Sequence, residues 1–218
     1  DRWYDTIKEA DYICVLDTGS TDGSYEKFKD LGIIVEQKTY NPFRFDTARN
    51  DSMKLIPEDA DICVCIDIDE YFVKGWSKVL KSLWTPDTYR ARYRYTWNFN
   101  PDGSEGIVFM SDKIHKNGEF KWKNAVHEIL VPINAQSYKT IDLPNVQVNH
   151  KADETKSRAS YLPLLELSVK ENPEDDRNTH YLGREYYFHK DYEKAIDMLN
   201  RHLSLKSAVW DIERASSL

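Results

Sequence analysis

A chain of 218 residues with 40% apolar and 13% aromatic content has enough apolar surface for one sizeable core, or for a core domain plus a small appendage, and lacks the composition of a disordered segment. Its formal net charge of -7, without a basic patch or stripe, argues against general binding to nucleic-acid backbones, so an anionic ligand needs local help. No apolar run approaches about 18 residues and no signal peptide opens the sequence, which makes a soluble, cytoplasmic protein without a transmembrane segment the expectation. The three cysteines, Cys14, Cys63 and Cys65, sit in strand-like apolar runs and suit buried free thiols; a zinc site would want further Cys or His ligands at suitable spacing.

The opening residues read as helix, strand, loop, helix and strand. Tyr12 to Leu16 is the first visible strand; it ends at Asp17 and enters Thr18-Gly19-Ser20-Thr21-Asp22-Gly23, a loop of small polar residues. The helix that follows stops at Gly32, and Ile33 to Glu36 forms a second, parallel strand, completing a βαβ unit. A further helix begins near Asp46. Residues Ile62 to Ile66 then read as a central strand of a parallel sheet, apolar on both faces. Beyond Glu70, Arg90 to Trp97 alternates with period two, and Gly106 to Met110, Phe120 to Val131 and Thr140 to Asn149 supply further strands, with turns at 100–103 and 116–118. The fold expected is α/β, a mostly parallel sheet with antiparallel additions. From about Ser157 the β signals vanish and three helices with short turns follow.

Two acidic strand ends carry the chemistry. Asp67, Asp69 and Glu70 end a buried strand, and Asp67 and Asp69, two apart, leave the same face of extended chain. Asp17 and Asp22 follow another buried strand, so both sets are expected along one edge of the sheet, where α/β folds open onto their ligand crevice. Hard divalent cations, Mg²⁺ or Mn²⁺, take oxygen ligands and often bridge carboxylates to substrate phosphates. There is neither a Walker phosphate loop nor a Gly-x-Gly-x-x-Gly, which leaves metal-bridged diphosphate binding. The plain structural alternatives are a solvated acidic turn after the strand, and Asp22 as a helix cap.

DTGSTD, FRFDTARN and CIDIDEYF, in this order and at these spacings, resemble a family 2 glycosyltransferase of the GT-A fold over roughly residues 1–150. The resemblance implies that Asp17 and Asp22 lie in the nucleotide loop, that Asp67 holds the ribose or a divalent metal (Mn²⁺ or Mg²⁺), and that Asp69 holds the metal. It places Arg49 and Asn50 near the donor nucleotide; Arg49 equally suits an ion pair with a nearby aspartate. Val126-His127-Glu128 resembles a late Val-His-Glu of similar enzymes and makes Glu128 the candidate general base, although the family more often uses an Asp in a later Glu-Asp pair that this chain lacks. His150 corresponds to a late His that ligates the metal in some GT-A enzymes, with His127 a weaker candidate. The aromatic stretch 89–97 suits stacking on a sugar or the core. The resemblance also implies a further strand before residue 1.

The helical region has its own resemblance. With Pro173 closing one repeat of about thirty-four residues, Leu182, Gly183, Tyr186, Ala195 and Leu199 fall where tetratricopeptide repeats carry Leu, Gly, Tyr, Ala and a large apolar residue, while His202 departs from the small residue expected there. The organisation expected is a GT-A-like domain over 1–152 and a tetratricopeptide-like domain over 153–218, apparently continuing past Leu218. The function expected is inverting, metal-dependent transfer of a sugar from a nucleotide diphosphate sugar to a protein, peptide or glycan acceptor, with possible self-association through the helices. The alternatives are a catalytically inactive GT-A-like scaffold acting through its repeats, and a nucleotidyltransferase or sugar-phosphate hydrolase.

Overall fold

The structure is a computed structural model that describes residues 2–134, 137–152 and 161–218. In chain order its elements are α1 (Arg2–Ile7), β1 (Cys14–Asp17), α2 (Ser24–Asp30), β2 (Ile34–Gln37), α3 (Phe45–Met53), β3 (Ile62–Val64), β4 (Glu70–Phe72), α4 (Trp76–Leu83), β5 (Thr88–Thr96), β6 (Val108–Lys116), β7 (Phe120–Lys123), β8 (Ile129–Pro132), β9 (Lys139–His150), α5 (Tyr161–Glu171), α6 (Asp176–Phe188), α7 (Tyr192–Ser204) and α8 (Asp211–Ser217). The fold is mixed α/β. Among the described residues, no helix is long and apolar enough to cross a membrane. The expected start of the helices near Ser157 lies outside the described residues.

The chain divides into two compact units, one of Asp1–Asn41, Ala48–Trp122 and Leu130–Thr155, the other of Pro42–Thr47, Lys123–Ile129 and Lys156–Leu218. Segments 42–47 and 123–129, grouped with the sheet in the sequence reading, belong with the helices because Phe45, Ala125 and Val126 pack into the helical core.

In the first unit β1 and β2 pair in parallel, Cys14 opposite Ile34 and Asp17 opposite Gln37, with α2 as the crossover and Gly32 at φ 73 ending it. Beyond this pair, the expectation of a mostly parallel sheet needs correcting. The main sheet has the order β3-β6-β5-β9-β4, in which β3 with β6, β5 with β6 and β4 with β9 run antiparallel and only β5 with β9 runs parallel. Parallel neighbours need a crossover of a dozen or more residues, and the turn-bearing segment 97–107 between β5 and β6 is too short to supply one. Along β5, Ala91, Tyr93 and Tyr95 are buried while Arg92 is exposed and paired with Asp142 at 2.7 Å, the expected one-wet-face pattern. Their inner face joins Phe72, Trp76, Leu80, Ile114, Leu143, Val146 and Val148 in the core. The strand expected over Phe120 to Val131 is interrupted: Asn124 and His127 take positive φ (85 and 50), and the chain turns between β7 and β8.

Among the described residues β1 pairs only with β2, and β3 only with β6. Both strands line a cavity of about 850 Å³, walled by Ile13, Cys14, Cys63, Cys65, Ile66 and Trp122 among others. A five-residue strand about 16 Å long, in a sheet with strands ~4.8 Å apart and layers ~10 Å apart, fills roughly 800 Å³. No strand among the described residues occupies this space.

The second unit is built on α5 to α8. Asp175 caps α6 through Asn178 N at 2.9 Å, and Leu164, Leu165, Val169, Leu182, Tyr186 and Ala195 form its core. At Gly183 an added Cβ would stand 2.7 Å from Leu199 Cδ2 and 3.2 Å from Leu199 N, so α6 and α7 touch where the sequence places small residues. Gly183→Ala gains up to about 1 kcal/mol of helix propensity but overpacks this contact. The expected net result is a loss of about 1–2 kcal/mol in urea unfolding, with the slope of the transition unchanged.

Candidate metal and nucleotide site

The acidic turn after β3 is organised by Glu70, which is 2% exposed. Its Oε2 accepts from Asp67 N at 2.9 Å, and its Oε1 accepts from the Tyr95 hydroxyl at 2.7 Å and from Lys113 Nζ at 3.0 Å. Lys113 also reaches Asp67 Oδ2 at 3.2 Å, and Arg49 Nη2 reaches Asp67 Oδ1 at 2.8 Å. Burial opposes ionisation of Asp67, but Lys113 and Arg49 outweigh it and hold the carboxyl well below its usual range. Burial likewise works against the Lys113 charge, and Asp67 and Glu70 overcome it to raise the ammonium above its usual pKa. Burial and the Glu70 carboxylate push the Tyr95 hydroxyl up.

Asp69 is not drawn into that network. Its Oδ2 lies 3.6 Å from His150 Nε2, an approach set by the register of β4 on β9, where Glu70 stands opposite His150. His150 Nδ1 is 3.0 Å from the carbonyl of Trp97, which only accepts, so Nδ1 carries a proton and Nε2 faces the aspartate. The pair can close as a direct ion pair of imidazolium and carboxylate or around a cation, and a histidine that donates its other N–H to a backbone carbonyl is the arrangement metal-ligating histidines adopt. The indole of Trp97, 49% exposed, lies 4.7 Å from the His150 ring.

In the other acidic loop, Asp17 Oδ1 accepts from Gly19 N and Ser20 N, both at 2.7 Å, and from Gln37 Nε2 at 3.3 Å. Burial opposes ionisation here, and the Ser20 and Gly19 amides still hold the carboxyl below its usual range. Gly19, at φ 116, would bring a Cβ within 3.0 Å of Thr39 Cγ2, so the loop requires glycine there. Asp22 is exposed and accepts from Ser24 N at 3.0 Å. Among the described residues no hydrogen bond or ion pair joins Asp17 or Asp22 to the 67–70 turn.

The expected site residues thus fall into separate groups. Arg49 meets Asp67, as the ion-pair reading of Arg49 anticipated, and its guanidinium also lies 4.9 Å over the Trp122 ring. Asn50 spends both ends of its amide on the Trp122 backbone, donating to O at 2.9 Å and accepting from N at 2.8 Å, so any effect on a ligand passes through the placement of Trp122. Glu128 lies just before β8 rather than on a strand, and belongs to the second unit. Its neighbour His127 holds a positive φ while stacking on Tyr181, ring centroids 4.2 Å apart. Lys113 and Tyr95 were not singled out from sequence; a lone lysine between the apolar stretch of β6 and Ile114 was the available signal for the first. No protein-family model matches the chain, and no curated protein matches it either.

Lys113→Met removes the cation that two carboxylates share. At pH 7 a loss of about 2 kcal/mol is expected, toward the low end for such a group because the Asp67 side chain keeps 38% accessibility. Asp67 has a depressed pKa, so its contribution is complete above about pH 4 and fades as pH falls toward the folded-state value. Urea midpoints of wild type and variant should therefore differ most at neutral pH and converge on acidification below about pH 4.

Proposed function

We propose that this chain is an inverting, divalent-metal-dependent glycosyltransferase of GT-A type, transferring a sugar from a nucleotide diphosphate sugar, with a tetratricopeptide-like helical region that positions a protein, peptide or glycan acceptor. The observation that carries the reading is the Asp69–His150 pair: a carboxylate within the anchored 67–70 turn and an imidazole held through its Nδ1–H, 3.6 Å apart. Asp69 and His150 would hold Mn²⁺ or Mg²⁺; the Asp67 carboxylate, committed to Arg49 and Lys113, does not converge with them as a third ligand among the described residues. When bound, such an ion offsets charge on the diphosphate of the donor and of the leaving group.

The remaining roles fall to the chain itself. Arg49 and Lys113 keep Asp67 ionised and oriented. Gly19 and Ser20 fix the Asp17 loop, which the reading assigns to the nucleotide. Exposed Trp97 offers a face for a sugar ring. Glu128 is the candidate base for the acceptor hydroxyl.

A second reading has its own observation. Tyr187, Phe188, Tyr192 and Ile196 are each more than half exposed on α6, α7 and their junction, an apolar face suited to a partner or a second copy, as a scaffold acting through its helices would use.

Product analysis separates the alternatives. With a nucleotide diphosphate sugar, Mn²⁺ and an acceptor, free nucleoside diphosphate is expected; pyrophosphate would mark a nucleotidyltransferase, and no turnover would favour the scaffold. Glu128→Gln should lower kcat by about 10²–10⁴-fold with little change in donor KM, and full activity in that variant removes Glu128 from the base role.

A further inference from the structure

The helical unit contains a second set of convergent ligand atoms. Asp176 opens α6, His202 lies in the last turn of α7 and Glu213 is on α8; each offers one ligand atom, and the three lie within 4.8 Å of one another. His202 is fully buried, Glu213 is 8% exposed and Asp176 is half-buried.

The hydrogen bonding around Ser217 fixes the state of the imidazole. Ser217 Oγ donates to the Glu213 carbonyl at 3.0 Å, which uses its single hydrogen. Its contacts to His202 Nδ1 and His180 Nδ1, both 2.8 Å, are therefore accepted, and each histidine carries its proton on Nδ1. His180 Nε2 has Ser216 Oγ at 3.2 Å. Among the described residues His202 Nε2 has no hydrogen-bond partner, and it is inaccessible to solvent. A buried lone pair beside two carboxylates is an arrangement of acceptors without a donor, costly unless a cation or proton joins it.

Nearby cations do not fill that place. Arg177 and Arg184 are close enough to Glu213, and Arg214 close enough to His202, to act on their ionisation. Yet none forms an ion pair with Asp176 or Glu213 among the described residues, and Arg214 Nη1 is engaged by the carbonyls of Leu203 and Ala208 at 3.2 and 2.9 Å.

We propose that Asp176, Glu213 and Nε2 of His202 form a binding site for a divalent transition-metal ion of the Zn²⁺ class, which fastens α8 to α6 and α7. One nitrogen and two carboxylate oxygens suit Zn²⁺ better than Mg²⁺ or Ca²⁺, which prefer oxygen throughout. Bonds of about 2.0–2.2 Å in tetrahedral geometry put ligand atoms roughly 3.4 Å apart, so the side chains need to close by about an ångström. Water completes the fourth position. Ser217 is the positioning residue: its Oγ holds the tautomer that frees Nε2.

The test uses the full chain carrying Asp69→Ala, which silences the acidic turn, treated with chelator and titrated with Zn²⁺ and then Co²⁺. One Zn²⁺ per chain is expected, with the visible bands of four-coordinate Co²⁺ and without the near-ultraviolet thiolate band that Cys14, Cys63 or Cys65 would give. Ser217→Ala should weaken affinity about 10–100-fold, and Glu213→Gln more. Asp176→Asn, at a half-buried position that is not expected to disturb folding, should do the same as Glu213→Gln, and Mg²⁺ should not compete. No stoichiometric Zn²⁺ uptake by the folded chain, or uptake that both Asp176→Asn and Glu213→Gln retain undiminished, overturns the proposal and leaves a proton as the partner of His202.

Discussion

Two carboxylates at the end of β3 are tolerable only because Lys113 and Arg49 stand against them. Glu70 is almost wholly buried and would be prohibitive alone; it is instead bonded to Asp67 N, the Tyr95 hydroxyl and Lys113, with each of its oxygens engaged. That single network ties β4 through Glu70, β5 through Tyr95 and β6 through Lys113, and reaches α3 through Arg49 and Asp67. Such a network is worth having only when every member is satisfied, since each deletion strands a charge. It places the turn with little freedom, and everything proposed for the site follows from that placement.

The same constraint divides the acidic residues by task. Asp67 is compensated from within the chain, so its capacity for an external cation is partly spent. Asp69, inside the same turn, faces His150, whose Nδ1–H is held by the Trp97 carbonyl. The pairing of β4 with β9 brings the two together across about eighty residues of sequence. The buried histidine in the helical unit obeys the same rule: a hydrogen bond on Nδ1 decides what Nε2 can do.

How much of this was legible in the sequence depends on how local each feature is. The βαβ opening, the alternation of β5, the turn at 116–118 and the helix starting near Asp46 all rest on short-range pattern, and the structure contains them. The elements β4 and α4 were not read, although Trp76, Val79, Leu80 and Leu83 have helical spacing; a three-residue strand after an acidic turn leaves almost no periodic signal. Strand direction failed for a non-local reason: β3 looks like a central parallel strand because it is apolar on both faces, yet its only partner is β6, half the domain away. Glu128 looked like a carboxylate on an apolar strand because Asn124 and His127 break that strand through backbone angles that those residue types seldom advertise. Asp17, Asp67, Asp69, Arg49 and His150 were singled out from sequence as candidates, whereas Lys113 and Tyr95, which decide how Asp67 and Glu70 are held, were not. Partners more than forty residues away in a β topology are set by register, and register is the least local property of a sheet.

The most direct test of the account is thermal unfolding with UDP, GDP, CDP or ADP, each with and without Mn²⁺, on the chain and on Asp69→Ala. Ligand at about one hundred times its Kd stabilises by about 2.7 kcal/mol, roughly 5–10 °C for a protein of this size. One nucleotide should give such a shift, only with the metal and only when Asp69 is present. An equal shift in Asp69→Ala, or none with any nucleotide and metal, would contradict the assignment of the acidic turn as the donor site.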